Sequence, residues 1–326
     1  MDSSKTETRS TRHPVPVRGQ DDGPVRTRRG GLFNSALLFG VVPVGTAFGH
    51  WISKIIALPQ LRKLAVGEVP WAPLRKPLSE STVALISTGG VHLRSDRPFN
   101  LNGDPTYRVI PRGANPADLA ISHQAYDRTD ALRDINLVFP IERLRELEAE
   151  QVIGRLAENH YGLGLMGSAR RLMPAIKQVA RRISESGVDL ALLVPARPIC
   201  TRSVGLLARE IEARGVTTVG LALVKEVAVA ARAPRFLYVH WPFGHALGEP
   251  GHAAQQRMVL HDMLSMAMSA PRPGLVVELP YRWRRETYPP VGDWKEASEA
   301  LVSALSLAVR QSGQVEGTAA AANKRN

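Results

Sequence analysis

The pattern of apolar and polar positions changes character near residue 80. From there on, short β-branched runs alternate with stretches whose apolar residues recur every three or four positions. STVALISTGG opens the pattern: the run over 82–88 closes in Gly89-Gly90, which predicts a strand entering a tight turn. TYRVIP (106–111) and ADLAIS (117–122) predict two further short strands. VFPIERLRELEAE (138–150) places Ile141, Leu144 and Leu147 at helical spacing. Residues 169–186 repeat that spacing with Leu172, Ile176, Val179 and Ile183, and Gly187 ends the helix. VDLALLVP is almost continuously apolar, as a strand covered on both faces would be. SVGLLAREIEARG then predicts a helix, VTTVGLALV a strand, KEVAVAARA a helix, RFLYVHW a strand, and residues 253–269 a last long helix.

Such alternation predicts an α/β fold: a mostly parallel sheet with helices on both faces, a Rossmann-like three-layer arrangement. Residues 70–285 carry it, with a candidate division into sub-domains 70–165 and 166–285. Residues 1–30 are polar, rich in Ser, Thr, Pro and Arg, and read as a disordered basic tail. Residues 31–69 read as an apolar, helical extension, and residues 286–326 as a C-terminal helix and a disordered tail beyond Gly313. No formal charge falls between Arg29 and Lys54. TRRGGLF before that run has the arrangement of an export signal or anchor. Asn34, Ser35, Pro43 and the interior glycines dilute it relative to the roughly 20 apolar residues of a membrane span. The expectation is a cytoplasmic protein, with export or anchoring through residues 31–53 as the alternative.

Composition adds two constraints. The net charge is +12, but the basic residues are scattered with no aromatic stripe beside them. A solvated arginine-rich surface accounts for that better than specific nucleic-acid binding. A single cysteine excludes an internal disulfide framework and any multi-cysteine metal site. No metal site is expected, because His123 and Asp127 supply only two ligands and a site needs three. The familiar nucleotide-binding and hydrolase motifs are absent as well.

In open parallel sheets, ligands bind beyond the carboxyl ends of the strands. Four loops with polar residues fall at such ends: one with His92, one with His123 and Asp127, one with Cys200, and one with His245, Glu249 and His252. Their convergence on one edge is what the fold predicts. In PARPICTRS, Cys200 stands near a helix start between Arg197 and Arg202. Open backbone N–H groups and arginines both favour thiolate over thiol. The competing account is a buried, inert cysteine, a common fate for this residue. The loop histidines likewise have an ordinary account as hydrogen-bonding residues.

Several phrases read together resemble one family. WAPLRKPLSESTVALISTGGVHLRSDRPFNLNGDPTYRVIP, ISHQAYDRTDALRDINLVFPIERLRELEAE, GVDLALLVPARPICTRSVGLLAREIEARGVTTVGLALV and WPFGHALGEPG are similar to component B of the glycine, sarcosine and betaine reductases, with the D-proline reductase subunit as a relative. The likeness spans roughly residues 70–280. It implies an α/β oxidoreductase fold and reductive cleavage of a carbon–nitrogen bond in an amino-acid-like substrate. It also implies a selenocysteine or cysteine nucleophile supplied with electrons by a dithiol system. Cys200 matches the second cysteine of the family's P-x-x-P-x-C loop. The first redox position is Arg197 here, so no paired thiols can form. A histidine-rich segment of relatives is reduced to His123, Ala125 and Asp127. His160, Tyr161 and Met166-Gly167 match another segment loosely.

The resulting expectation is a selenium-independent reductase. Cys200 is the nucleophile, His123 or His245 the general acid, and Arg197 or Arg202 the clamp on a substrate carboxylate. His92 and Asp127 complete the candidate substrate-binding set. No cofactor is identified beyond an external thiol or dithiol reductant. Expected partners are a small amino-acid-like substrate, a thioredoxin-type reductant, other reductase components and a second copy of the chain. The alternatives are a non-catalytic homologue that binds an amino-acid-like ligand or partner, and an isomerase of the aspartate/glutamate racemase kind. A lone cysteine fits the last poorly, since two-base racemisation wants two thiols.

Overall fold

A computed structural model describes residues 47–323, apart from Ala125, Met166, Arg285 and Glu286. The expected tail at 1–30 and most of the apolar segment at 31–53 lie outside the described residues.

The central strand is β1 (Thr82–Ser87), buried along its whole length. It alternates faces: Val83 and Leu85 join one apolar cluster, Ala84 and Ile86 the other. Parallel to it on one side runs β7 (Leu190–Val194), followed outward by β8 (Thr217–Ala222), β9 (Arg235–Tyr238) and β10 (Leu275–Glu278). On the other side lie β5 (Arg155–Leu156) and β6 (Asn159–Leu163), with β3 (Tyr107–Pro111) antiparallel at the edge. β2 (Val91–Leu93) and β4 (Leu119–Ile121) form a separate antiparallel pair. ADLAIS is therefore a strand as expected, but it stands outside the main sheet.

Helices cover both faces. α1 (Ala47–Leu64), α4 (Ala169–Glu185), α5 (Pro198–Glu212) and α6 (Lys225–Ala230) lie over one cluster, contributing Leu61, Ile176, Val204 and Val227. α3 (Ile141–Ala149), α7 (Ala253–Ser269) and α8 (Glu299–Asn323) lie over the other through Leu144, Leu264 and Leu301. The helix expected from residue 138 starts at Ile141, with Pro140 at the cap position just before its first turn. A short helix α2 (Thr129–Arg133) precedes it. The fold class read from the sequence is the one observed.

Two breaks in regularity matter. β5 and β6 amount to one strand interrupted opposite β1, and the gap leaves the Leu85 N–H without a ladder carbonyl. The His160 ring fills it: Nδ1 accepts that N–H at 3.0 Å. Burial pushes His160 down to about 3, so the ring is neutral. The second break is topological. The chain leaves β1 to form β6 on one side, crosses through α4, and returns as β7 on the other side. The carboxyl ends of β1 and β7, joined by Thr88 N–H to Val194 C=O at 3.0 Å, form the point where strand order reverses. Ligands of open α/β sheets bind at such a point.

Candidate active site

α5 begins at Pro198, earlier than the sequence pattern suggested, so Cys200 sits inside its first turn at that reversal point. Cys200 is 2% exposed. Sγ donates to the Thr88 carbonyl at 3.3 Å and lies 3.7 Å from His123 Nε2. The backbone N–H groups of Ala196 and Arg197, the Thr88 hydroxyl and the Arg197 guanidinium all favour an anionic sulfur. Burial outweighs them and pushes the thiol up. The arginines and helix start named from the sequence act in the direction foreseen, but the net sign is reversed because the site is buried.

His123 is 1% exposed and held well below the ordinary histidine range, first by burial and then by Arg197 and Arg128. Its ring lies 4.8 Å from that of Tyr126, whose hydroxyl donates to the Gly89 carbonyl at 2.9 Å. Burial keeps Tyr126 protonated. Close backbone approach brings these loops together. Gly90 has φ +75°, and a Cβ there would sit 2.3 Å from the Ser122 carbonyl oxygen. Gly244 has φ +85°, and a Cβ would strike the Tyr126 ring at 2.6 Å. Gly244 N–H also donates to the Ala196 carbonyl at 2.8 Å, tying the loop after β9 to the one that carries Arg197.

Arg197 is 8% exposed, and burial lowers its affinity for a proton. Among the described residues its guanidinium makes no hydrogen bond or ion pair; the attraction it feels comes from the Cys200 sulfur. Arg202, fully buried and pulled down to about 10 by that burial, is turned away. Its Nη1 bonds Gln60 Oε1 at 3.0 Å and the Gly167 carbonyl at 2.8 Å.

The remaining candidates form an outer ring. His245 Nε2 lies 3.0 Å from Asp130 Oδ2, and its Nδ1 is 3.2 Å from the Phe243 carbonyl. His92 bridges the Leu93 carbonyl at 2.6 Å and Ser122 Oγ at 2.8 Å. Asp127 accepts from Thr129 N–H and Oγ1, which holds it below the usual carboxylate range. His252 caps α7 by accepting the Gln255 N–H, and Glu249 faces Arg284 at 3.8 Å. Thus the structure brings Cys200, His123 and Arg197 together, and places His92 on strand β2 and Asp127 and His245 on loops. Thr88 and Tyr126 were not singled out from the sequence. Their place beside G-G and three residues after His123 was the available signal. Among the described residues no group of three or more His, Cys, Asp or Glu is arranged to hold a metal ion. No described helix is long and apolar enough to cross a membrane.

A mostly parallel α/β sheet with a thiol and an imidazole at its reversal point defines the class. Residues 60–196 match the family model for glycine/sarcosine/betaine reductase selenoprotein B. The chain is 36% identical over 215 residues to the D-proline reductase subunit gamma of Acetoanaerobium sticklandii, covering 65% of this chain and 89% of that one. It is 29% identical over 210 residues to a glycine reductase complex component B subunit gamma of Carboxydothermus hydrogenoformans, covering 61% and 47%. With the sarcosine reductase complex component B subunit beta of Peptoclostridium acidaminophilum it shares 30% over 192 residues, covering 56% and 43%. No solved structure matches. The chain belongs to this family of reductase component B and D-proline reductase subunits. It spans less than half the length of the glycine and sarcosine reductase relatives, and most of the D-proline reductase subunit.

Proposed function

We propose that the protein is a thiol-dependent reductase subunit that cleaves a carbon–nitrogen bond in a small amino-acid-like substrate, with Cys200 as nucleophile. The observation that supports this most is the 3.7 Å approach of Cys200 Sγ to His123 Nε2 at the sheet's reversal point. Both groups rest uncharged there, since burial raises the thiol and lowers the imidazole. Proton transfer between them creates the thiolate without changing the charge of the site. The thiolate attacks the carbon that bears nitrogen, forming a C–S bond as the C–N bond breaks. His123, now an imidazolium, gives its proton to the leaving amine.

Two electrons are still needed, and an external dithiol of thioredoxin type supplies them. One of its thiols attacks the adduct sulfur, forming an S–S bond and releasing the carbon, which takes a proton. Its second thiol closes a disulfide and frees Cys200. The Arg197 guanidinium takes the substrate carboxylate, while Arg202 adds positive field from behind and holds the wall. His245 on Asp130, His92 and Asp127 fix the loops that frame the substrate. The relatives named as complex components support other reductase subunits as partners.

The test is an assay with a dithiol donor, the companion reductase components and a panel of D-proline, glycine, sarcosine and betaine. Reductive release of amine, or ring opening for D-proline, is expected from the wild type. Cys200→Ser is expected to lower turnover by at least about 10³-fold while remaining folded. Full activity in that variant removes the reading. A second reading, ligand binding without turnover, is favoured by the enclosure of the sulfur. Tight binding of one panel member with no product under any donor would select it.

A further inference from the structure

The amino end of α5 concentrates positive charge with no carboxylate opposite it among the described residues. The helix has 15 residues, no acidic side chain in its first turn and no side-chain cap. Pro198 lacks an N–H, so Ile199 and Cys200 present the open donors of that turn. The aligned peptide dipoles add about half a positive charge there. Arg197 stands at the cap position, buried and without an anionic partner among the described residues beyond the thiol it faces. The Thr88 hydroxyl oxygen is also fully enclosed, and while the thiol is neutral it has no hydrogen-bond partner among the described residues. An uncompensated buried cation is expensive, and a protein retains one where something else completes it.

We propose that Arg197, the open N–H groups of Ile199 and Cys200 and the Thr88 hydroxyl form a receptor for one small carboxylate that competes with the Cys200 thiolate for the same positive charge, so that with the carboxylate bound the thiolate forms only as its proton passes to His123. A monoanion fits because one cation is available: Arg202 is engaged by Gln60 and Gly167, and Arg128 by the Ile121 carbonyl. The planar guanidinium suits a two-oxygen anion. The other titratable groups facing the sulfur are His123 and Tyr126, both from the loop after β4, and both stay uncharged. Cys200 is therefore the group that changes charge when the receptor fills. Above the thiol midpoint, binding a carboxylate takes one proton from solvent onto sulfur. The inference rests on Cys200 being the reacting sulfur, but it needs no turnover.

The experiment is a pH titration of thiolate ultraviolet absorbance, taken as the difference between wild type and Cys200→Ser, in acetate or in acetamide at constant ionic strength. Acetate is expected to move the midpoint upward and its affinity to fall about tenfold per pH unit above that midpoint. Acetamide, neutral and of similar shape, is expected to leave it in place. In Arg197→Gln the acetate effect is expected to vanish. An unmoved midpoint in acetate, an equal shift in acetamide, or an undiminished acetate effect in Arg197→Gln overturns the proposal. If the variant does not fold, the wild-type comparison of acetate with acetamide decides alone. An acetate-linked midpoint without product in the reductase assay would leave the receptor standing and remove the reductase reading.

Discussion

The two ends of helix α5 treat buried charge in opposite ways. At its carboxyl end Glu212 accepts from the Ala72 and Thr218 N–H groups, the Thr218 hydroxyl and Arg235 Nη1. Arg235 in turn bonds the Ala72 carbonyl at 2.8 Å and lies 3.6 Å from the Trp71 ring centre. At the amino end Arg197 has no such partners among the described residues. Burial raises Glu212 and lowers Arg235, so even the paired charges resist being enclosed. One helix thus carries a closed ion pair that fastens residues 71–72 to β8, and an open cation beside a thiol. The first arrangement builds the wall; the second leaves a cation beside the sulfur without a carboxylate among the described residues.

Four measurements sharpen or break this contrast. The largest effect concerns a third way of burying a titratable group, which is to keep it neutral. His160 has a folded value of about 3 against an ordinary 6.5. Unfolding then takes up a proton at any pH between those values. Stability is fully present above 6.5, falls as pH drops through that window, and the loss from this group approaches about 5 kcal/mol near pH 3. Denaturant titrations from pH 7 to pH 4 should show it, and His160→Gln, whose amide does not titrate, should flatten the slope.

Next in size is Arg235→Leu, which strands the Glu212 carboxylate and is expected to cost about 3–5 kcal/mol by urea unfolding. Replacing both partners with apolar residues should recover much of that. Tyr126→Phe removes one buried hydroxyl bond behind His123 and should cost about 1 kcal/mol. The smallest change is expected at Arg197→Gln, within about 0.5 kcal/mol or slightly stabilising, since no folded-state bond is lost. Equal losses at Arg197 and Arg235 would break the contrast between the two ends.

Much of the architecture was legible in the sequence because strands β1, β7 and β8 are apolar on both faces, and helices α4 and α7 have clear stops. GLVVEL was not recognised as β10, being a four-residue strand that follows a Pro-Gly turn. The pairing of β2 with β4 was hidden too, since alternation within three residues does not say which sheet a strand joins. The site was half legible. Position near a helix start singled out Cys200, and its neighbours by sequence were Arg197 and Arg202. Nothing local told those arginines apart: Arg197 stays beside the sulfur, while Arg202 finds Gln60, 142 positions earlier. The sign of the thiol shift was equally out of reach, because enclosure is set by loops after β1, β4 and β9 together.

Gln60 gives the amino-terminal extension a meaning beyond its apolar surface. Its Oε1 accepts the first N–H of α4 at 2.7 Å as well as Arg202, and its Nε2 reaches the Gly167 carbonyl at 3.0 Å. A single amide on α1 therefore serves as a borrowed cap for one helix and a counterweight for a cation on another. Trimming the chain back to residue 65 would strip out this keystone and unsettle the packing behind the thiol, although every residue proposed to react would remain.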